Sequence, residues 1–149
     1  MSKTFAQKDI YIFVTINDYI ITNFDIQKES EYLKILNPDL KKLNKEKIFK
    51  VSKNSLIKEI IKKNETKKII NNNEENLLTE EYFKDLYTRL NFNNENEFKD
   101  FLKNSSNYSI SEIKQKLKIE LMWNELIYSK YYNQIKINKD EMIKKINSL

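Results

Sequence analysis

The chain has 149 residues, 40 % of them hydrophobic and 12 % aromatic, with a formal net charge of +5, which is the size of one domain with enough apolar material for a core. It contains no glycine, no histidine and no cysteine. That excludes glycine-rich phosphate loops and dinucleotide fingerprints, Ser-His and Cys-His catalysis, ordinary zinc sites and histidine-ligated haem.

The strongest β signal opens the chain. Ile10-Tyr11-Ile12-Phe13-Val14-Thr15-Ile16 is β-branched and aromatic, and Tyr19-Ile20-Ile21-Thr22 follows after two residues, so the segment reads as a β-hairpin. Asn17-Asp18 between the strands predicts a type I′ turn, in which both central residues take positive φ. Thr22 then caps a helix, with Asp25 completing a capping box. Ile26, Tyr32, Leu33 and Leu36 carry its buried stripe, and Asn37-Pro38 ends it because the residue before proline is pushed out of the α region. A second helix is expected from about Lys45 to Asn64 or beyond, on the rhythm of Ile48, Val51, Leu56 and Ile60 with Phe49, Ile57 and Ile61 beside them.

Asn71-Asn72-Asn73 marks a loop. A short third helix carries Thr79, Tyr82, Phe83, Leu86, Tyr87 and Leu90. After a break over Asn91 to Asn96, Phe98, Phe101 and Leu102 mark a fourth. Ser109 or Ser111 opens the longest helix, where Ile113, Leu117, Leu121, Trp123, Leu126, Ile127, Tyr128, Tyr131 and Ile135 cover more than one face. Such a helix must touch several neighbours and is expected to be the central strut. Asn138 is expected to cap a last short helix with Met142, Ile143 and Ile146. The expected fold class is therefore mostly α (α+β): one N-terminal hairpin followed by about six helices, in a single domain over residues 1–149. Residues 1–9 are expected to be flexible, and 137–149 to begin a linker or a continuation.

The chemistry that composition leaves open belongs to carboxylates, lysine and tyrosine. The carboxylate pairs Glu74-Glu75, Glu80-Glu81, Glu95 with Glu97 and Asp140-Glu141 sit near helix starts, where they complement the positive dipole end, and they lack the spacing of a calcium loop. No catalytic residue, metal or cofactor is expected. Arg89 is the single arginine among 27 basic residues, whereas nucleic-acid readers lean on arginine. The Lys62-Lys63 to Lys67-Lys68 run reads as a solvated helix face. Aromatic residues are the better candidates for a binding surface. Tyr131 and Tyr132 are consecutive and cannot both face inward, and Tyr128 lies one turn before Tyr132. Phe83, Leu86 and Trp123 read as core, and Tyr82, Phe83, Tyr87 and Phe92 form an earlier aromatic cluster.

No stretch approaches the roughly 18 apolar residues of a membrane-spanning helix. Met1-Ser2-Lys3-Thr4-Phe5 lacks the apolar run of a secretory signal, which fits either a cytoplasmic protein or a mature exported domain with a start methionine.

The order of these elements resembles the N-terminal domain of the SurA-type periplasmic chaperones. Residues Phe13 to Ile26, read as strand, turn, strand and then Thr22-x-x-Asp25 opening a helix, look like that family's opening. Asn54-Ser55-Leu56-Ile57-Lys58-Glu59 resembles part of its long helix. Leu78 to Tyr82 through Phe98 to Leu102 is similar to its paired short helices, and Ser111 to Leu121 to the helix that enters its core. The family's parvulin isomerase domains are absent from this sequence, and with them the histidines of their active sites. The resemblance implies a non-enzymatic, ATP-independent periplasmic chaperone module for unfolded outer-membrane β-barrel precursors, not embedded in the membrane and without a small-molecule substrate. On that reading the aromatic clusters above supply the candidate client-binding residues, Tyr128, Tyr131, Tyr132, Tyr87 and Phe92. The resemblance also implies a hairpin edge open to a second copy. The alternatives are a basic helical adaptor for nucleic acid, or an assembly fragment completed by another chain.

Overall fold

The computed structural model describes residues 9–67 and 75–148. Among them the fold is mostly helical, with a two-stranded antiparallel hairpin followed by six helices. Strand β1 (Ile12–Ile16) pairs with β2 (Tyr19–Thr22), from Ile16 opposite Tyr19 to Ile12 opposite Thr22. A bulge between Ile12 and Val14 interrupts the ladder. It allows the Phe13 ring to meet Phe49 edge-on at 5.0 Å. At the turn only Asn17 takes positive φ, 51°, and Asp18 does not. The expected type I′ turn needs both, so it is not formed. Asn tolerates the left-handed region, and Asp18 avoids the steric cost that glycine would escape there.

Helix α1 (Asn23–Leu36) starts at the expected capping box: Thr22 Oγ1 accepts from Asp25 N at 3.3 Å, and Thr22 N donates to Asp25 Oδ2 at 2.8 Å. It stops at Leu36, with Asn37 extended before Pro38. There Asn37 caps a short 3-10 helix (Pro38–Lys42) that the sequence reading did not separate. Proline suits such a first turn, since its missing N–H has no partner to lose. Helix α2 (Lys45–Thr66) opens at Asn44, whose side chain accepts from Lys47 N. Its buried face is Ile48 and Ser52, while Val51 and Ile61 of the expected stripe are exposed. Helix α3 (Glu75–Arg89) begins four residues before Thr79. Asn91 takes φ 67° in the break after it, and Asn94 caps α4 (Glu95–Ser105). The expected loop at Asn71–Asn73 and the leader 1–8 lie outside the described residues.

Helix α5 (Ile110–Asn147) is one helix of 38 residues. Asn138 therefore does not start a separate helix: asparagine caps only where the chain enters from an extended conformation, and here the helical backbone runs through it. Ser109 opens α5 with a second capping box, closed by Glu112. The core joins α1, α3, α4 and α5 through Tyr32, Phe83, Leu86, Phe98, Leu102 and Ile113. The other buried apolar residues among those described are Ile21, Ile26, Ile48, Ile119 and Met122. Trp123 is half-buried rather than in this core.

Ion pairs fasten the first third of α5 to every other α-helix. Lys28 of α1 pairs with Glu112, Lys62 of α2 with Glu120 at 2.6 Å, and Lys114 with Glu80 of α3 at 2.8 Å and Glu95 of α4 at 3.8 Å. At Glu112 partial burial acts to raise the carboxyl's pKa, but the Lys28 ammonium and the N–H and hydroxyl of Ser109 outweigh it and hold the value below the ordinary one. A depressed carboxylate contributes stability above its unfolded-state pKa and loses it as pH falls through the lowered folded value. Stability measured by urea unfolding along an acid titration should thus fall less steeply in Glu112→Gln than in the parent. Identical slopes would show that this pair contributes nothing.

Candidate binding surface

The polar chemistry of the interior is concentrated where α1, α2 and α5 meet. Glu29 is 1 % exposed, although its position in α1 reads as an ordinary helix-surface glutamate. Its Oε1 accepts from Ser55 Oγ at 2.7 Å, and its Oε2 accepts from Tyr108 Oη and from Lys116 Nζ, both at 2.8 Å. Lys116 also pairs with Glu59, and its ammonium lies 5.2 Å from the centre of the Tyr32 ring and 5.3 Å from that of Tyr108. Burial, followed by the nearby Glu29 charge, pushes both phenols above their ordinary pKa. They remain protonated, and Tyr108 can keep donating. Glu29, Ser55, Glu59, Tyr108 and Lys116 are thus committed to one another, and the arrangement fixes three helices. Among the described residues no group of acidic side chains is placed to hold a metal ion.

Of the clefts that open around the packed helices, three adjoin this cluster or the Phe92 ring. One of about 200 Å³ is lined by Lys28, Glu59, Tyr108, Glu112 and Lys116. A second of about 340 Å³ lies on the other side of Lys116, between Tyr32, Leu36, Leu86, Arg89 and Leu117. The third, about 580 Å³, shares Leu36 and Arg89 with it and is lined by Ile35, Leu90, Phe92 and Phe101. Lys34, Lys41 and Arg89 stand on its margin in the last turns of α1, the 3-10 helix and α3. Cations there answer the negative ends of those helices, which accounts for them without an anionic ligand.

The candidate client-binding residues fall in two places. Tyr87 and Phe92 are half-buried against the core: Tyr87 meets Phe83 edge-on at 5.5 Å, and Phe92 lies 5.1 Å from Phe98 and 5.0 Å from Phe101. Phe92 also reaches the largest of the three clefts. Tyr128, Tyr131 and Tyr132 are 61 %, 40 % and 48 % exposed. One turn apart on α5, Tyr128 and Tyr132 meet at a tilt of 51° with centroids 5.3 Å apart, and the Lys130 ammonium lies 5.8 Å from the centre of the Tyr131 ring. The helix thus groups the three tyrosines and sets them apart from Tyr87 and Phe92, which belong to another cluster.

Further exposed apolar surface was not singled out from the sequence. Ile10, Tyr11, Ile12 and Ile20 of the hairpin region are more than half exposed, as are Met142 and Ile146 of α5. The available signal was the run from Ile10 to Ile16, which has no charged residue on either alternating face. A strand covered on one face would show polar alternation. In the lysine run, Lys62 is paired with Glu120, while Lys63 and Lys67 stand over the Tyr19 ring, and Lys67 also donates to its hydroxyl. Among the described residues no helix is long and apolar enough to cross a membrane. No protein-family model, no curated protein and no solved structure matches this chain.

Proposed function

We propose that this chain is a non-catalytic, ATP-independent chaperone module that holds extended, aromatic-rich segments of unfolded proteins. The observation that carries this reading is the group of three exposed tyrosines on α5, amphipathic rings presented from a helix face that the rest of the fold leaves uncovered. Rings of this kind bury large area at low conformational cost and accept many partner sequences. Outer-membrane β-barrel precursors as clients, and the periplasm as the location, belong to the same proposal. Their support is the SurA-type pattern of residues Phe13 to Ile26 and of the helices that follow. The groove beside Phe92 is a second apolar contact for a client that extends beyond the tyrosines.

The test is the anisotropy of a labelled, aromatic-rich outer-membrane strand peptide titrated with the full chain at low and at physiological salt. Saturable binding that persists in salt is expected, because apolar burial is not screened as charge pairing is. Replacing Tyr128, Tyr131 and Tyr132 with Ser should weaken binding about tenfold or more, equivalent to about 1.4 kcal/mol shared among the three rings, with the helical circular dichroism unchanged. Equal affinity in the folded triple variant would remove the tyrosines from the site. Binding that vanishes as salt rises would favour a polyanionic partner and the adaptor reading.

A further inference from the structure

Tyr19 opens β2, just past the Asn17-Asp18 turn, and its ring lies against the C-terminal end of α2. Lys63 and Lys67 stand one helical turn apart there, so both side chains leave on the same side. Their ammonium groups lie 5.4 Å and 5.6 Å from the centre of the Tyr19 ring, and Lys67 Nζ donates to Tyr19 Oη at 2.9 Å in an exposed setting. Among the described residues no carboxylate is within ion-pair distance of either lysine. Both charges are therefore directed at the phenol.

No other tyrosine is so placed. Tyr32 and Tyr108 are held protonated by burial and by the charge of Glu29. Tyr11 donates its hydroxyl to the Asp9 carboxylate. At Tyr131 the Lys130 ammonium stands near the ring without bonding to the oxygen. Among the described residues Tyr19 is the one tyrosine whose oxygen accepts from a cation. Such a bond favours the ionised oxygen. The Lys67 bond foremost, with the charges of Lys63 and Lys67, holds the phenol below its ordinary pKa against partial burial and the Asp18 carboxylate. A hydroxyl that ionises more readily in an open position is an activated nucleophile.

We propose that Tyr19 is a covalent modification site, taking acyl or sulfonyl electrophiles on its phenolic oxygen and favouring those that carry negative charge. Tyr19 releases its proton to solvent, and the phenolate oxygen attacks the acyl carbon or sulfonyl sulfur. A C–O or S–O bond forms, and the leaving group departs with the electron pair of the bond it gives up. Lys67 stabilises the phenolate, and the two ammonium groups outweigh Asp18 in drawing an anionic reagent to the site. The assignment does not depend on the client-binding reading.

The full chain is treated with para-(fluorosulfonyl)benzoate over a pH series, and the labelled residues are found by peptide mass spectrometry. Sulfur–fluorine cleavage leaves the aryl sulfonate ester on the protein and releases fluoride. Tyr19 should be labelled several-fold faster than Tyr128, Tyr131 or Tyr132, although those rings are more exposed, and its rate should rise at lower pH than theirs. Lys67→Gln should slow Tyr19 several-fold and move its pH profile upward, with the helical circular dichroism of the parent, whereas Lys67→Arg should keep most of the rate. The uncharged benzenesulfonyl fluoride should favour Tyr19 less. Label spread evenly over the exposed tyrosines, or settling on Lys63 or Lys67, overturns the site. A folded Lys67→Gln variant with the parent's rate and pH profile overturns the activation. Equal preference for Tyr19 with the uncharged reagent overturns the selection by charge.

Discussion

Replacing Lys116 with methionine should lower the unfolding free energy by about 3–5 kcal/mol, the usual cost of removing one partner from a buried ion pair. The reason lies in what is left behind. Glu29 is 1 % exposed, and among the described residues Lys116 is the only cation paired with it. The Ser55 and Tyr108 hydroxyls still donate to it, but neutral donors do not offset a buried full charge. Methionine keeps the length and apolar body of the lysine stem, so the loss measures charge rather than a cavity. Glu59 makes a useful contrast, because its side chain is 28 % exposed and can regain water. Urea unfolding followed by circular dichroism measures the loss. A second variant with Glu29→Met added to Lys116→Met should recover part of the stability, because the orphaned charge goes with its partner. A single variant within about 0.5 kcal/mol of the parent, the range of ordinary surface substitutions, would show that water already reaches Glu29.

That cluster also shows what could be read from the sequence and what could not. The hairpin, the Thr22 and Ser109 caps, the stop before Pro38 and the extent of α2 depend on residues close together in the chain, where local chemistry decides. The burial of Glu29 depends on Ser55, Tyr108 and Lys116, which are 26, 79 and 87 positions away. No local pattern announces such a meeting; a glutamate in a helix reads as solvated until its partners are in place. Val51 and Ser52 illustrate the same limit. The apolar rhythm favours Val51, yet Ser52 is the wholly buried residue, and its hydroxyl is without a hydrogen-bond partner. Which side of α2 turns inward is set by the close packing of α1 and α5 rather than by hydropathy. The tyrosines were legible in part: adjacency alone forces one of Tyr131 and Tyr132 outward, but that Tyr128 and both of these stand in the open follows from where α5 leaves its neighbours. The continuity of α5 through Asn138 was hidden for a related reason, since an asparagine reads equally well as a cap or as an exposed helical residue.

Replacing Phe83 with alanine should cost about 3–5 kcal/mol, comparable to the loss at Lys116 but of different origin. The ring is 1 % exposed. It meets Tyr87 at 5.5 Å and Phe98 at 6.0 Å, and the Lys114 ammonium lies 4.6 Å from its centre. One side chain thus binds α3 to α4 and α5, and truncation leaves a cavity walled by three helices that cannot all close on it. Phe83→Leu should restore much of the loss, because leucine refills most of the volume, whereas it should do nothing for a role that needs the ring. The comparison with Tyr128, Tyr131 and Tyr132 then separates core from site. The tyrosine variant should leave the unfolding midpoint almost unchanged while peptide affinity falls, since its rings stand in solvent. Phe83→Ala should move the midpoint strongly while the folded fraction binds peptide as the parent does. If instead the folded fraction of Phe83→Ala loses affinity as the tyrosine variant was expected to, the aromatic chain from Phe83 through Phe98 to Phe92 carries the client. The groove between α1, α3 and α4 would then replace distal α5 as the principal contact.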